Sequence, residues 1–256
     1  MSLILTHLNK FGIVHASDSN LTSGRAPAGQ ARKTFPVRYL SAGLTVAGAY
    51  TVGGRKMDKW MQDFIGAQLA SGLRSLKVFA SLLGAALERE MRADEKRSGS
   101  MVHIAGYVKE SGKAHPEFYF VRNFHQMDPV TGGYLDLKDQ FSVSEDFWSR
   151  DCPRDNLISA FQSKGFAQIY INGYPPGRIA YLGVMQQLTA VFSQIWGNPE
   201  WRFRPPRSLA ETVSFVKLFM SAIGTLFEAS DYPAPYIGGR IQLCKIPCPR
   251  NIVTTC

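Results

Sequence analysis

Cysteine is scarce in this sequence: four among 256 residues, at Cys152, Cys244, Cys248 and Cys256. So few thiols, all in the second half, exclude the disulfide framework of a small secreted domain. Cys244 and Cys248 lie four apart in a strand-like stretch, which puts them on one face. None of the five histidines is near them in sequence, so no zinc-ligand set forms and reduced thiols are expected. Long apolar runs are missing too. The longest candidate, 215–227, carries Lys217 and falls short of the ~18–20 residues that span a bilayer. The opening MSLILTHLNK has no cationic start and no cleavage site of small residues, so a cytosolic protein with no membrane partner is expected. Also missing are a Gly-x-Ser-x-Gly elbow, a His-Glu-x-x-His pair and a phosphate loop ending in Gly-Lys-Ser/Thr.

What is present is an ordinary globular composition, 45% hydrophobic and 19% charged, which excludes a disordered chain. The length suits one large domain or two small ones, and a single domain over 1–256 is expected. The net charge is +9, and residues 1–60 carry eight Lys/Arg against Asp18 and Asp58. That excess permits acidic partners without requiring them, and nucleic acid is not expected.

The pattern opens with two β-rich runs, SLILTHLNK and GIVHASDS, joined at Phe11-Gly12 as a hairpin. A loop is expected from Ser23 to Gln30, then strands in KTFPVRYL and GLTVAGAYTVGG. Met57, Trp60, Met61, Phe64, Ile65 and Leu69 mark one helix face, and Leu76, Phe79, Leu83, Leu87 and Met91 a second. Strands return in MVHIAGYVKE and HPEFYFVRNF around a Ser111-Gly112 turn. FSVSEDFW suggests a strand, Leu157 to Phe161 a short helix, and FAQIYING a strand. The next helix turns Ile179, Leu182, Met185, Leu188, Phe192 and Ile195 inward. WGNPEWRFRPPR reads as an exposed connection. Ser208 and Glu211 form a capping box for a helix with Leu209, Val213, Val216, Met220, Ile223 and Phe227 inward. After the DYPAPY turn, IGGRIQLCKIP is the last strand. Two sheets with helix pairs outside would bury both faces of each sheet.

Chemistry is offered at the start of the chain. If Met1 is removed, Ser2 bears both a hydroxyl and a free α-amine. An α-amine titrates at roughly 7.7–8.0, so part of it is neutral near pH 7 and can take the hydroxyl proton. A lysine ammonium nearby would keep the amine neutral, and an aspartate would keep the lysine charged and oriented. His7 and His15 sit on the paired strands and read as polar strand positions.

GIVHASDSNLTSG, QARKTF and LTVAGAYTVGG resemble the start of a proteasome β-type subunit, one of the N-terminal nucleophile hydrolases whose bacterial relatives include the HslV peptidase and Anbu. HIAGYVKE resembles the family's mid-chain hairpin, and IGGRIQLCKI its closing strand with Gly-Gly. The resemblance implies an α+β fold, a four-layer αββα sandwich of two antiparallel sheets flanked by helix pairs. It also implies a peptidase without metal or organic cofactor, acting on peptides or proteins, in a homo-oligomeric ring or spiral that could serve an unfoldase partner. The family's nucleophile precedes the aspartate of Ala-x-Asp-Ser by sixteen residues, which leads from Asp18 to Ser2. By the same resemblance Ser2 is the nucleophile in place of the usual Thr, Asp18 the carboxylate, Lys33 the lysine, and Gly48 the donor to the oxyanion through its backbone N–H.

The sequence departs from that pattern in two places. Gly173-Tyr174-Pro175-Pro176-Gly177 stands where the family has a serine-bearing turn. Ile237 stands where a serine precedes the last Gly-Gly, and Asp231 comes earlier in a longer turn. A non-catalytic assembly protein of this fold and a small-molecule amidase are the alternative readings.

Overall fold

The structure is a computed structural model describing residues 2–23, 26–110, 113–127, 134–144, 167–230 and 237–249. Ser111-Gly112, Gly132-Gly133, residues 145–148, the helix expected at 157–161, the DYPAPY turn with Asp231, and Cys152 and Cys256 lie outside the described residues.

The chain begins with a tight hairpin of β1 (Leu3–Asn9) and β2 (Gly12–Ser17). Asn9 pairs with Gly12, and the Asn9 side-chain oxygen accepts the Phe11 N–H at 2.9 Å, closing the turn. Where a loop was expected, β3 (Asn20–Ser23) pairs with β4 (Ala26–Gln30) in a small hairpin. β5 (Thr34–Val37) follows, then a 3-10 turn (Arg38–Leu40) and β6 (Ala42–Gly48). The GLTVAGAYTVGG run is thus broken at Gly48, and β7 (Thr51–Val52) and β8 (Arg55–Lys56) form a separate ribbon. α1 (Met57–Ala70), α2 (Leu76–Glu90) and the short α3 (Ala93–Lys96) come next. They are followed by β9 (Ser100–Glu110), β10 (Lys113–Met127), β11 (Tyr134–Ser144) and β12 (Ala167–Gly173). The chain then forms α4 (Pro175–Ile195), α5 (Leu209–Glu228) and β13 (Gln242–Pro247).

The result is an α+β architecture. One antiparallel sheet runs β12-β1-β2-β13, and a second runs β11-β10-β9-β6-β5. The period-2 alternation of β1 explains how both faces fill. Ile4 and Leu8 join Met101, Phe118 and Phe120 of the second sheet, whereas Leu3 and Leu5 join Val216, Phe219 and Ile223 of α5. A third apolar cluster sets Trp60, Met61, Phe79 and Leu83 of α1 and α2 against Phe35, Leu44 and Val46. Phe118 stacks flat on Tyr170 between the sheets, with ring centroids 3.9 Å apart. At roughly 25 cal/mol per Å2 of apolar surface, these clusters are the main driving force of the fold.

Two helix faces differ from expectation. In α4, Ile179, Leu182 and Ile195 are more than half exposed, whereas Met185, Leu188 and Phe192 of the expected face do pack, and the inward side is extended by Gly177, Tyr181 and Val184. This helix carries a single charge, Arg178, so no polar face sets its rotational phase. In α1, Leu69 is exposed although Met57, Trp60 and Met61 are buried. Ser208 Oγ caps α5 by accepting Glu211 N–H at 3.0 Å, but the Glu211 carboxylate takes Arg207 N–H rather than closing the box on Ser208. By length and composition α5, which carries Glu211, Lys217 and Glu228, could cross a bilayer, yet its inward side packs on β2 and β13. The aromatics of WRFRPPR are also packed, Phe203 lying edge-on to Phe215 and Phe219.

His7, His15, His103 and His115 are interior. His7 meets Phe215 edge-on, and His15 belongs to a polar chain threaded between the sheets. The Ala105 carbonyl can only accept, so His15 Nε2 carries the proton and donates to it at 3.4 Å. His15 Nδ1 then accepts from Thr6 Oγ1 at 2.9 Å, and Thr6 accepts from His103 Nδ1 at 3.1 Å. Asn172 Nδ2 donates to His103 Nε2 at 2.6 Å. Each link is satisfied with both rings neutral, and this network fixes their tautomers.

Candidate active site

The β1–β2 register continues one step past its last pair, Ile4 with Ser17, and sets Leu3 opposite Asp18. Asp18 N–H donates to Leu3 O at 3.3 Å, and Leu3 N–H donates to Asp18 Oδ1 at 2.8 Å. The sixteen-residue spacing from Ser2 to Asp18 therefore has a mechanical cause. A two-residue turn joins two strands of fixed register, so the carboxylate is anchored on the amide next to Ser2.

The second carboxylate oxygen, Asp18 Oδ2, accepts Asn20 N–H at 3.1 Å and lies 3.2 Å from Lys33 Nζ. Lys33 Nζ also donates to the Asn20 carbonyl. Both side chains are sealed from solvent, at 0% and 1% exposure. Burial pushes the Asp18 carboxyl above its ordinary value and the Lys33 ammonium below its own; their mutual attraction and the Leu3 N–H act against this. Two of the three ammonium donors of Lys33 are thereby placed.

Gln242, at the start of β13, anchors the lysine's main chain. Its Oε1 accepts Lys33 N–H at 2.8 Å and Thr34 N–H at 3.3 Å, and its Nε2 donates to Ala31 O. Beneath lies a file of buried hydroxyls, Ser17 Oγ to Thr34 Oγ1 at 2.8 Å and Thr34 Oγ1 to Thr45 Oγ1 at 3.3 Å. Sequence reasoning missed Gln242. Its partners are more than 200 residues away, and a lone glutamine at a strand start carries no signal.

Gly48 ends β6, two residues beyond the Val46 that bonds this lysine. Val46 N–H donates to Lys33 O, and Ala49 N–H donates to Gly99 O, both at 2.9 Å. On that alternation the Gly48 N–H turns to the β5 side, one step past the last ladder bond. The position requires glycine: φ is +102°, and a Cβ would sit 2.0 Å from the Gly99 carbonyl oxygen.

Ser2 precedes β1 and shares the inter-sheet side of Ile4 by alternation. It is 5% exposed. Its carbonyl accepts Tyr174 N–H at 2.6 Å, and Gly173, with φ +108°, approaches so closely that a Cβ would lie 1.9 Å from that oxygen. The Gly173-Tyr174 turn thus clamps Ser2 by its main chain. Ile237 is fully buried and packs over Gly177 in the α4 cluster. The structure joins Asp18 to Lys33 directly, places Ser2 next to Leu3, which bonds Asp18, and places Gly48 two residues beyond Val46, which bonds Lys33. Among the described residues, no hydrogen bond runs from the Ser2 hydroxyl to Lys33, Asp18 or Gly48. Also among the described residues, no group of three His, Cys, Asp or Glu side chains is arranged to hold a metal ion.

No family model matches the sequence, and no curated protein matches it.

Proposed function

We propose that this chain is a proteasome-like N-terminal nucleophile hydrolase with a four-layer αββα arrangement, cleaving amide bonds of peptides through Ser2. The observation that carries the reading is the buried Lys33–Asp18 pair, fastened through Leu3 N–H to the residue beside Ser2. The three stacked apolar clusters support the fold half of the reading.

The chemistry requires the Met1–Ser2 bond to be cut. The freed amine then takes the Ser2 hydroxyl proton as Oγ attacks the substrate carbonyl carbon. The ammonium of Lys33, through its third donor, disfavours a second positive charge on that amine and so keeps it basic in form. Gly48 N–H stabilises the oxyanion as negative charge develops. Collapse breaks the C–N bond, the leaving amine takes the proton, and an ester remains on Ser2. Water attacks that ester with the same amine as base, which restores the hydroxyl. Neither metal nor organic cofactor enters these steps. A homo-oligomer, as a ring or spiral, belongs to the same proposal, as does a cytosolic setting.

A second reading, a non-catalytic assembly protein, is favoured by the near-complete burial of Ser2 and by Tyr174 and Ile237 at the expected serine positions. Hydrolysis of a mixed fluorogenic peptide-amide set by the purified protein separates the two. Turnover that disappears in Ser2→Ala supports the peptidase. Turnover of small acyl amides alone indicates an amidase. No turnover by protein lacking Met1 supports the assembly reading.

A further inference from the structure

The basic excess of the N-terminal quarter is not used by the chemistry above. Part of it lies on the open edge between the sheets. A cleft of about 810 Å3 runs between β5 and β13, the edge strands of the two sheets, from Arg32 and Thr34 to Ser41 and Pro249. There it meets a second cleft, about 680 Å3, that shares Ser41 and Pro249 and continues past Arg74, Lys77 and Lys109. The first cleft adds Arg32, Arg38 and Lys245, so six cations line the path. Against them stands one acid, Glu117, which is buried, accepts the Tyr119 hydroxyl at 2.6 Å and lies 3.7 Å from His115 Nε2. A groove of one sign with low-dielectric walls concentrates the opposite charge.

The two strand edges facing this groove are unlike. β5 is closed: Thr34 N–H goes to Gln242, Thr34 O accepts Arg32 Nε at 3.1 Å, and Pro36 has no N–H. β13 is open over a short stretch. Cys248 N–H donates to Phe11 O, and Gln242, Cys244 and Ile246 pair with Ser17, His15 and Ile13. The intervening Leu243 and Lys245 therefore turn N–H and C=O away from β2, until Pro247 ends the edge. Among the described residues no strand pairs there.

We propose that this groove receives an extended, acidic segment of a partner protein, which adds as a short strand to the outer edge of β13 and sets its carboxylates against Arg38 and Lys245. Main-chain bonds to an open edge supply affinity in this mode, and alternate side chains supply selectivity. A peptide fits better than single-stranded nucleic acid, because the wall between β5 and β13 has no aromatic ring on which bases could stack, and of the three tyrosines lining the second cleft Tyr107 and Tyr119 are buried, leaving only Tyr39 part-exposed. The inference does not depend on the activity of Ser2.

The test uses the whole protein and a fluorescein-labelled alternating Glu–Val peptide of about eight residues, roughly 25 Å when extended, read by anisotropy. Saturable binding is expected, weakening with salt and by about tenfold or more in Arg38→Glu/Lys245→Glu. Both side chains are exposed, so circular dichroism should show that variant folded. The same peptide with alternate amides N-methylated should bind the wild-type protein at least about tenfold more weakly. The proposal is overturned by absence of binding up to about 1 mM, by equal binding to the charge-reversed variant, or by equal binding of the methylated peptide. Tighter binding of deca-thymidylate than of the acidic peptide overturns it in favour of nucleic acid.

Discussion

Gln242 Oε1 accepts the main-chain N–H of Lys33 at 2.8 Å, reaching from the edge of one sheet to the edge of the other. The same amide holds Thr34 N–H and Ala31 O, so one side chain satisfies three backbone groups around the buried lysine. Lys33 is thereby fixed at both ends: its ammonium by Asp18 and its main chain by β13.

Gln242→Ala leaves those backbone groups without partners, which costs about 1–3 kcal/mol of stability. Gln242→Glu keeps the acceptor and loses the donor, and should fall between the two. Urea unfolding midpoints of the three proteins check this; equal midpoints would remove Gln242 from the positioning of Lys33.

Asp18→Asn leaves an ammonium buried without its counter-charge, and Lys33→Met leaves a buried carboxylate. Each should cost about 3–5 kcal/mol. The double variant removes both charges and should be less destabilised than the sum of the singles by about 2 kcal/mol or more. Additive losses in a thermal double-mutant cycle would show that the two groups do not interact as a pair.

Gly48→Ala forces a side chain into a left-handed conformation and onto the Gly99 carbonyl. The strain alone is worth about 1–3 kcal/mol, and relief would push the end of β6 away from β9. A melting temperature equal to that of the parent protein would refute the contact at β9.

His7 and His15 are held neutral by burial, which brings each from 6.5 to about 4, and His103 is also pushed well below its ordinary value. Between those pH values the unfolded chain binds protons that the folded chain does not. Stability is therefore complete above about pH 6.5 and falls as the pH drops toward 4, by about 3 kcal/mol for each fully neutral ring. Urea midpoints measured from pH 7.5 to 4.5 should decline through this window. A constant midpoint would contradict the neutral His103–Thr6–His15 chain.

The parts legible in the sequence were those set by local register. The Ser2-to-Asp18 spacing encodes a hairpin turn, and the β1 alternation encodes which residues meet the other sheet. Gly48 is singled out only through the family resemblance; the residues around it read as one continuous strand, and the break at Gly48 depends on its close approach to Gly99. Contacts made across the chain were not legible. Gln242 meets Lys33 only after both sheets have formed, and His103 meets Thr6 and Asn172 only when three separate strands come together. The inward face of α4 was legible only in part, at Met185, Leu188 and Phe192, because a helix with one charge has no charged face to orient it. A loop is expected at Ser23–Gln30 although β4 forms there, because Pro27 and Gly29 signal turns as readily as a short ribbon.

The most direct test of Ser2 as nucleophile is covalent capture. The purified protein is treated with an acylating β-lactone, whose ring opens on a nucleophilic hydroxyl, and the N-terminal peptide is read by mass spectrometry. The proposed chemistry predicts a peptide beginning at Ser2, lacking Met1, with one acyl group on the Ser2 hydroxyl and none in Ser2→Ala or in chains that retain Met1. An unmodified Ser2 in protein that has lost Met1, or an adduct that persists in Ser2→Ala, would contradict it.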